Sequence, residues 1–207
     1  MSEYASEHER FWSGQFGDEY SARNTGAEVV AGNLAVFSRV LGRAEGITSV
    51  LELGANIGLN LRALHQLLPA AELSGVEINP VAAQELRAWG GCEVHEGSIL
   101  DYAPGRTWDL TFCKGVLIHI PPADLPAAYQ RLYDCSSRYV LVAEYYNPSP
   151  VAIPYRGHDD RLFKRDFAGE LMDRYDDLRL VDYGFVYHRD PVFPLDDITW
   201  FLLEKHP

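Results

Sequence analysis

The segment from Val50 to Asn60 constrains the fold most, because an apolar strand runs into a glycine-containing turn that opens a helix. Gly54 and Gly58 allow unusual backbone dihedrals and the close approach of a ligand. One helical face is formed by Ile57, Leu61, Leu64 and Leu68, and Pro69 ends the pattern. The first N–H groups of that helix point into the space beside the turn. We therefore predict a cofactor site at this turn.

The glycine spacing excludes one common class of cofactor. A dinucleotide fingerprint, G-x-G-x-x-G, would place its middle glycine at position 56, where this chain has Asn56. The departure argues against a nicotinamide or flavin cofactor.

Strand and helix patterns alternate along most of the chain. Further strands are predicted over 73–79, at the start of 93–101, at the start of 108–121, over 138–145, over 178–187 and near 198–203. Helices are predicted after Pro80, after Pro122 and around 167–174. This alternation predicts an α/β fold with a mostly parallel sheet and helices on both faces. Ligands of such folds bind at the carboxyl ends of the strands.

Composition narrows the class of protein further. A chain of 207 residues with a net charge of -12 has room for one sizeable core and is a poor partner for nucleic acid. We find no apolar run long enough for a membrane span and no secretory signal, so we expect a cytoplasmic protein without a membrane partner. The three cysteines lack C-x-x-C spacing, which argues against disulfides and structural zinc.

The turn resembles the first motif of the class I S-adenosylmethionine-dependent methyltransferases, an acidic residue followed by G-x-x-x-G. Glu52, Gly54 and Gly58 match that motif. The resemblance implies a Rossmann-like, seven-stranded sheet whose last strand is antiparallel, with S-adenosyl-L-methionine as cofactor. It also implies a set of cofactor-binding residues: Glu52, Gly54, Asn56, Gly58, Glu77, Ile78, Ser98, Ile99 and Lys114.

Three of the candidate residues have a second interpretation. Glu77 ends a strand and can accept both ribose hydroxyls, or it can be a surface acid before a helix. Lys114 stands at the edge of the cofactor pocket or caps a strand in solvent. His119, flanked by apolar residues, is either a general base or a buried, hydrogen-bonded core histidine.

Residues 1–45 are predicted to form a helical segment that closes over a methyltransferase domain of residues 46–207. Tyr20, Arg23 and Asn24 are candidates for lining the substrate pocket. The alternative is that the aromatic residues of this segment only anchor a helix on the sheet.

A long, proline-stiffened loop follows the fifth strand, where this fold places its acceptor. The candidate catalytic residues are His119 and, from this loop, Tyr146, Arg156 and His158. Asn147 and Tyr155 from the loop, with His188 further along, are candidates for binding substrate. Arginine can clamp a carboxylate or phosphate, although the neighbouring aspartates could pair with these cations instead.

Over nearly its whole length the chain resembles the methylases associated with pseudaminic acid biosynthesis. The matching stretches are FWSGQFGDEYSARN, LELGANIGLNLRALHQLLP, EYYNPSPVAIPYRGHDDRLFKRDFAGEL, DYGFVYHRD and DDITWFLLEK. The resemblance implies methyl transfer to a small molecule, such as an acidic sugar of the nonulosonic-acid type or its nucleotide-linked precursor. Two alternatives stay open: modification of a protein or peptide side chain, and a non-catalytic accessory protein. No metal-ligand pattern is present, and the acceptor atom and oligomeric state stay open.

Overall fold

The computed structural model describes residues 6–23, 26–157 and 161–206. Within these ranges the helices are α1 (Glu7–Ser13), α2 (Gln15–Arg23), α3 (Ala27–Leu41), α4 (Leu59–Leu67), α5 (Pro80–Trp89), α6 (Leu125–Asp134) and α7 (Phe167–Arg174). The strands are β1 (Ser49–Leu53), β2 (Glu72–Glu77), β3 (Glu93–Glu96), β4 (Trp108–Lys114), β5 (Ser136–Glu144), β6 (Val151–Ala152), β7 (Phe163–Lys164), β8 (Leu178–Phe185) and β9 (Thr199–Lys205). A 3₁₀ turn, Leu117–His119, follows β4.

Seven of the described strands form one sheet in the order β3-β2-β1-β4-β5-β9-β8. The pairs β1–β2, β1–β4, β2–β3 and β4–β5 are parallel. β9 lies between β5 and β8 and is antiparallel to both. The predicted mostly parallel sheet with an antiparallel last strand is therefore confirmed.

Two apolar clusters cover the two faces of the sheet. On one face, α3 and α4 pack against β4, and the Phe37 and Phe112 rings meet edge to face with centroids 5.4 Å apart. On the other face, α6 and α7 bring Leu132 and Leu171 against the sheet. Burying a leucine or phenylalanine side chain stabilises the fold by about 1.5–3 kcal/mol. These clusters hold the strand ends of the site in fixed positions.

The helix after the glycine turn begins later than predicted. The apolar spacing predicts a helix that begins near Ile57, whereas α4 begins at Leu59. Asn56 and Gly58 both have positive φ, 48° and 83°, which a right-handed helix does not accept. The turn is therefore longer than its apolar periodicity indicated. The pattern also did not predict the short β6–β7 hairpin within the proline-containing loop.

The longest described helix is α3, with 15 residues. A helix that spans the hydrocarbon core of a bilayer needs about 20 apolar residues. Among the described residues, no helix has the length and apolarity for such a span.

Candidate functional site

A cavity of about 730 Å³ opens at the carboxyl ends of the parallel strands. Its wall is built from the turns after β1, β2 and β4, from the N-terminal helices and from the segment before β9. Ligand pockets commonly have volumes of about 300–1,000 Å³. The cavity thus lies where the sequence placed a cofactor, and it is large enough for a cofactor with a small second molecule.

The glycine turn after β1 forms one side of this cavity. Gly54 and Asn56 line it. At Gly54 φ is +81°, and an added Cβ would lie 2.6 Å from Val116 Cγ2, so only glycine fits. Gly58, predicted to contact cofactor, is not among the lining residues; it begins α4, and a Cβ there would collide with Leu86. Glycine is therefore needed at position 58 because α5 packs closely against the start of α4.

Glu52 lies fully buried behind the turn and does not itself line the cavity. Its Oε1 accepts a 2.6 Å hydrogen bond from Asn60 Nδ2, and Asn60 does line the cavity. Glu52 Oε2 and Asn60 Oδ1 are buried without a hydrogen-bond partner in the described part of the chain. Burial raises the pKa of Glu52 to about 8, although the Asn60 hydrogen bond and the charge of Lys114 oppose the shift. Asn60 thus connects the buried Glu52 carboxyl group to the cavity wall.

Glu77 lines the cavity at the end of β2. Its two carboxylate oxygens accept hydrogen bonds from the backbone N–H groups of Asn79 (2.7 Å) and Asn56 (2.6 Å). Burial raises its pKa, and these hydrogen bonds act against the shift. The carboxylate is therefore held in a fixed orientation, with lone pairs left for a ligand.

The predicted neighbours of Glu77 also line the cavity: Ile78, Ser98 and Ile99. Ser98 Oγ accepts a 3.1 Å hydrogen bond from the Leu100 N–H, so the hydroxyl shapes its own turn. Ile99 is buried and offers an apolar surface. This side of the cavity suits a flat apolar ring next to a polar sugar.

Lys114 ends β4 and lines the cavity between the two acidic strand ends. Burial lowers its pKa, and Glu52, Asp196 and Glu144 oppose the shift with their charges. Glu144, the last residue of β5, is buried and accepts backbone hydrogen bonds from Val116 and Leu117 at 2.9 and 3.0 Å. This carboxylate fixes the turn beyond Lys114. Lys114 is thus a wall residue rather than a solvated cap.

His119 is buried and sits in the cavity wall beside Trp12 and Tyr155, with ring centroids 4.5 and 5.3 Å away. Its Nδ1 lies 2.7 Å from the Arg161 carbonyl oxygen, and because a carbonyl only accepts, Nδ1 carries the proton. Burial lowers the pKa of His119 to about 4. These facts correspond to the buried, hydrogen-bonded histidine of the two interpretations, and a role as general base stays a prediction.

Tyr146 and Asn147, predicted at the substrate site, do not line the cavity. Tyr146 is 42% exposed and packs against Phe201 on another face of the sheet, with centroids 5.8 Å apart. Side chains alternate along an extended chain, so Tyr145 turns into the cavity and Tyr146 turns away from it. Counting this alternation from β5 would have selected Tyr145. Asn147 donates to the Ser149 carbonyl at the exposed surface.

The remaining substrate candidates in the described ranges line the outer part of the cavity: Tyr20, Arg23, Tyr155, Arg156 and His188. Asn24 and His158 lie outside the described residues. The Arg156 guanidinium carbon is 5.7 Å from the Tyr155 ring centroid. His188 Nδ1 is 2.8 Å from Asp197 Oδ1.

Sequence reasoning missed several wall residues, among them Trp12, Asn33, Asn60, Asn79, Tyr145 and Asp196. Burial, followed by the charge and hydrogen bond of Asp196, raises the pKa of the Tyr145 hydroxyl. Asn33 on α3 is 1% exposed. Asn33 belongs to no quoted stretch, and DDITWFLLEK, which begins at Asp196, does not by itself indicate that Asp196 faces the cavity.

The N-terminal helices are joined to the two strand-end turns by side chains. Asn79 Nδ2 donates to Asp18 Oδ1 at 2.8 Å, and Ser21 Oγ donates to Asn56 Oδ1 at 2.7 Å. The same Asn56 oxygen accepts from the Ile57 N–H at 2.7 Å. α2 therefore lies over the turns that carry Asn56 and Glu77.

Comparison with known protein families and curated proteins finds a match for part of the chain. Residues 50–137 match the family model of a methyltransferase domain. Trans-aconitate 2-methyltransferase of Escherichia coli O139:H28 (strain E24377A) is 33% identical over 78 residues, which are 37% of this chain and 31% of that protein. The chain thus matches about a third of the length of this curated relative.

Solved structures resemble the fold over nearly its full length. Magnesium protoporphyrin IX methyltransferase of Synechocystis PCC 6803, with bound S-adenosylhomocysteine, has a TM-score of 0.71 at 13% identity and covers 96% of this chain and 98% of its own. An amino pentose methyltransferase of Micromonospora echinaspora, bound to S-adenosylmethionine, has a TM-score of 0.66 at 12% identity. That alignment covers 92% of this chain and 96% of the other. At these identities the likeness concerns the fold.

Proposed function

The chain has the class I methyltransferase fold and carries a methyltransferase domain over residues 50–137, and we propose that it transfers a methyl group from S-adenosylmethionine to a small molecule. One observation carries the proposal. One cavity is lined by Glu77 at the end of β2 and by Asn60 beside the end of β1, and Asn60 is hydrogen-bonded to the buried carboxyl group of Glu52. These groups match the two polar ends of that cofactor, its ribose and its amino acid.

The residues of the cavity fit the cofactor group by group. Glu77, fixed by two backbone N–H groups, would accept the ribose hydroxyls. Ile78 and Ile99 would hold the adenine ring against apolar surface, with Ser98 beside them. Gly54 lets the chain approach the methionine portion, and Asn56 holds the turn in shape. When bound, S-adenosylmethionine supplies an electrophilic methyl group on its sulfonium.

The acceptor would bind in the outer part of the cavity. Tyr20, Tyr145 and Tyr155 offer rings and hydroxyls there, and Arg23 and Arg156 offer positive charge. Displacement at a methyl carbon needs an acceptor lone pair held close and in line, so positioning supplies much of the rate. A hydroxyl acceptor would also need a proton acceptor, for which His119, His188 and Asp196 are candidates in the wall. We assign residues 1–45 the role of a lid that excludes water, on the basis of the bonds from α2 to Asn56 and Asn79.

We further propose that the acceptor is an acidic sugar of the nonulosonic-acid type or its nucleotide-linked precursor. Arginine recognises carboxylates with a planar fork of donors, and Arg156 makes no ion pair with the described residues. Aromatic walls suit the apolar faces of sugar rings. Two similar proteins support this choice by their substrates, since one acts on trans-aconitate and the other on an amino pentose.

Transfer of a labelled methyl group tests the proposed function directly. The full chain is incubated with methyl-labelled S-adenosylmethionine and, separately, with acidic sugars, their nucleotide-linked forms, neutral sugars and peptides. We expect label in an acidic sugar and little in its neutral counterpart. Label in peptides alone would contradict the small-molecule acceptor. Tight cofactor binding without transfer to any acceptor would support an accessory protein instead.

A further inference from the structure

The indole nitrogen of Trp12 is a buried donor without an acceptor. Trp12 lies on α1 and lines the cavity, and its Nε1 has no hydrogen-bond partner among the described residues. An indole N–H can only donate, so it needs an oxygen or nitrogen lone pair. A buried donor without such a partner destabilises the folded chain, and a partner recovers that free energy. In a cavity wall, the donor is available to a ligand that carries an acceptor atom.

The ring of His119 supplies the complementary group, an acceptor. Its Nδ1 donates to the Arg161 carbonyl oxygen at 2.7 Å, so the lone pair of the neutral ring lies on Nε2. Within the ranges that the structure describes, Nε2 makes no hydrogen bond. Burial lowers the pKa of His119 to about 4, which keeps the ring neutral and the lone pair available at neutral pH. The cavity wall therefore contains a fixed acceptor at position 119.

The Trp12 and His119 rings lie side by side, with centroids 4.5 Å apart and planes inclined by 47°. Arg161 joins the two elements that carry them. Its carbonyl oxygen accepts from His119, and its Nη2 donates to Oε1 of Glu7, on the same helix as Trp12, at 2.7 Å. These bonds hold α1 against the turn after β4. We call Trp12 and His119 the donor–acceptor pair.

Aromatic side chains flank the donor–acceptor pair. The Tyr155 centroid lies 5.3 Å from that of His119, and the Tyr20 centroid lies 5.6 Å from that of Trp12. All four residues line the cavity. Tyr20 and Tyr155 belong to the part of the cavity that we assign to the acceptor. The donor–acceptor pair therefore lies where the acceptor would bind, beside rings that suit the apolar face of a sugar.

We propose that the donor–acceptor pair binds one hydroxyl group of the methyl acceptor and so selects a sugar. The Trp12 N–H would donate to the hydroxyl oxygen, and the hydroxyl would donate to His119 Nε2. A carboxylate cannot donate to Nε2, and an ammonium group cannot accept from Trp12, so a hydroxyl matches both atoms. The inference rests on the proposed function and deepens it, because Arg156 is assigned to the carboxylate and this pair to a hydroxyl.

The pair holds the hydroxyl as a neutral group, and no proton changes place between them. Trp12 and His119 are therefore specificity residues in this role. Their loss should weaken binding of the acceptor and leave the methyl-transfer step nearly unchanged.

Nuclear magnetic resonance of the indole N–H groups tests the inference without turnover. The chain has four tryptophans, and the signal that disappears in Trp12→Phe is that of Trp12. The full chain is saturated with S-adenosylhomocysteine, and the acidic sugar that accepts methyl in the labelling assay is then added. We expect the Trp12 indole proton to move downfield on addition of the sugar, because it gains a hydrogen bond, and the Trp89 signal to stay.

Two outcomes of this titration have different meanings. A Trp12 signal that does not move with the sugar, or that moves only with S-adenosylhomocysteine, would overturn the inference while methyl transfer to the sugar upholds the proposed function. Absence of methyl transfer to every sugar would overturn the proposed acceptor and this inference together.

Steady-state kinetics with two variants tests the role of each atom. Trp12→Phe keeps a ring without the donor, and His119→Asn keeps a donor for the Arg161 carbonyl without Nε2. Each should raise KM for the sugar about threefold to tenfold, with kcat within about twofold of the wild type and S-adenosylhomocysteine affinity unchanged. Trp89→Phe makes the same chemical change at a residue that packs on His65, and it should leave KM unchanged.

Sugars that each lack a single hydroxyl group distinguish recognition from a disturbed fold. One of these deoxy sugars should show the raised KM with the wild type and no further rise with Trp12→Phe. A similar rise for every deoxy sugar in Trp12→Phe would overturn the inference. A fall in kcat at unchanged KM in His119→Asn would also overturn it, since His119 would then act as the proton acceptor.

Discussion

We expect cofactor binding to depend more on Glu77 than on any other residue of this site. Glu77→Ala removes a carboxylate that is already oriented by Asn56 and Asn79, so both ribose hydrogen bonds are lost without a substitute. We expect S-adenosylhomocysteine to bind about thirtyfold or more weakly by calorimetry, a loss of roughly 2 kcal/mol. Glu96→Ala, an exposed acid on β3, should leave binding unchanged. Normal affinity in a folded Glu77→Ala protein would show that the ribose lies elsewhere.

We propose that Arg156, which lines the cavity, contacts the acceptor rather than the cofactor. Arg156→Ala should lower kcat/KM for an acidic acceptor by about 10-fold to 100-fold, because a charge-assisted pair is removed. S-adenosylhomocysteine affinity should stay within about twofold of the wild type. The exposed Arg179 on β8 supplies the control, Arg179→Ala. If Arg156→Ala and Glu77→Ala lost cofactor affinity equally, the division of the cavity into two parts would be wrong.

Ionisation of Glu52 makes the free energy of unfolding of the ligand-free protein depend on pH. Its pKa is raised from 4.5 to about 8, so the folded state holds a proton that the unfolded state releases. Its contribution to stability is therefore complete below about pH 4.5 and is lost as pH rises towards 8. Glu52→Gln imitates the protonated carboxyl and does not lose this contribution.

Denaturant unfolding without ligand measures this effect. We expect the variant to match the wild type near pH 4 and to exceed it by more than about 1 kcal/mol at pH 8. Glu93→Gln on exposed β3 is the control. A difference between Glu52→Gln and wild type that does not change with pH would contradict the raised pKa.

At the scale of elements, α2 is held over the strand-end turns by few contacts. Asp18→Ala removes the acceptor for Asn79 Nδ2 while leaving the Asn79 cap of α5 in place. We expect faster amide hydrogen exchange confined to α1 and α2, with little change in Tm, and weaker S-adenosylhomocysteine binding. Gln15→Ala, an exposed change on the same helix, should alter none of these. Unchanged exchange in Asp18→Ala would remove the support for a lid.

The sequence predicted helices and strands well where apolar residues recur at a regular helical or strand spacing. The apolar spacing predicted α7 with its bounds at Phe167 and Arg174, and the β-branched runs predicted β4 and β5. The first residue of α4 could not be predicted, because the spacing of apolar residues carries no information about the positive φ of Asn56. The residue types of the loop favour Tyr146, whereas the alternation of side chains that continues from β5 favours Tyr145, which lines the cavity.

At the scale of the whole molecule, the sheet order brings together residues that are far apart in sequence. The reversal of strand order between β1 and β4 opens the crevice in which Gly54, Glu77 and Lys114 meet, as is general for open α/β sheets. Motifs could predict these three residues, since Glu77 and Lys114 end strands and Gly54 directly follows one. Asn33 and Asp196 could not be predicted, because their place depends on how α3 and the segment before β9 pack.

The most direct test of a methyl-donor site is calorimetric competition between S-adenosylhomocysteine and NAD for the full chain. The turn lacks a glycine at Asn56 and carries the acceptors of Glu52 and Asn60, so we expect one S-adenosylhomocysteine per chain and no competition by NAD. Binding of NAD in preference to S-adenosylhomocysteine would contradict the assignment of this cavity to S-adenosylmethionine.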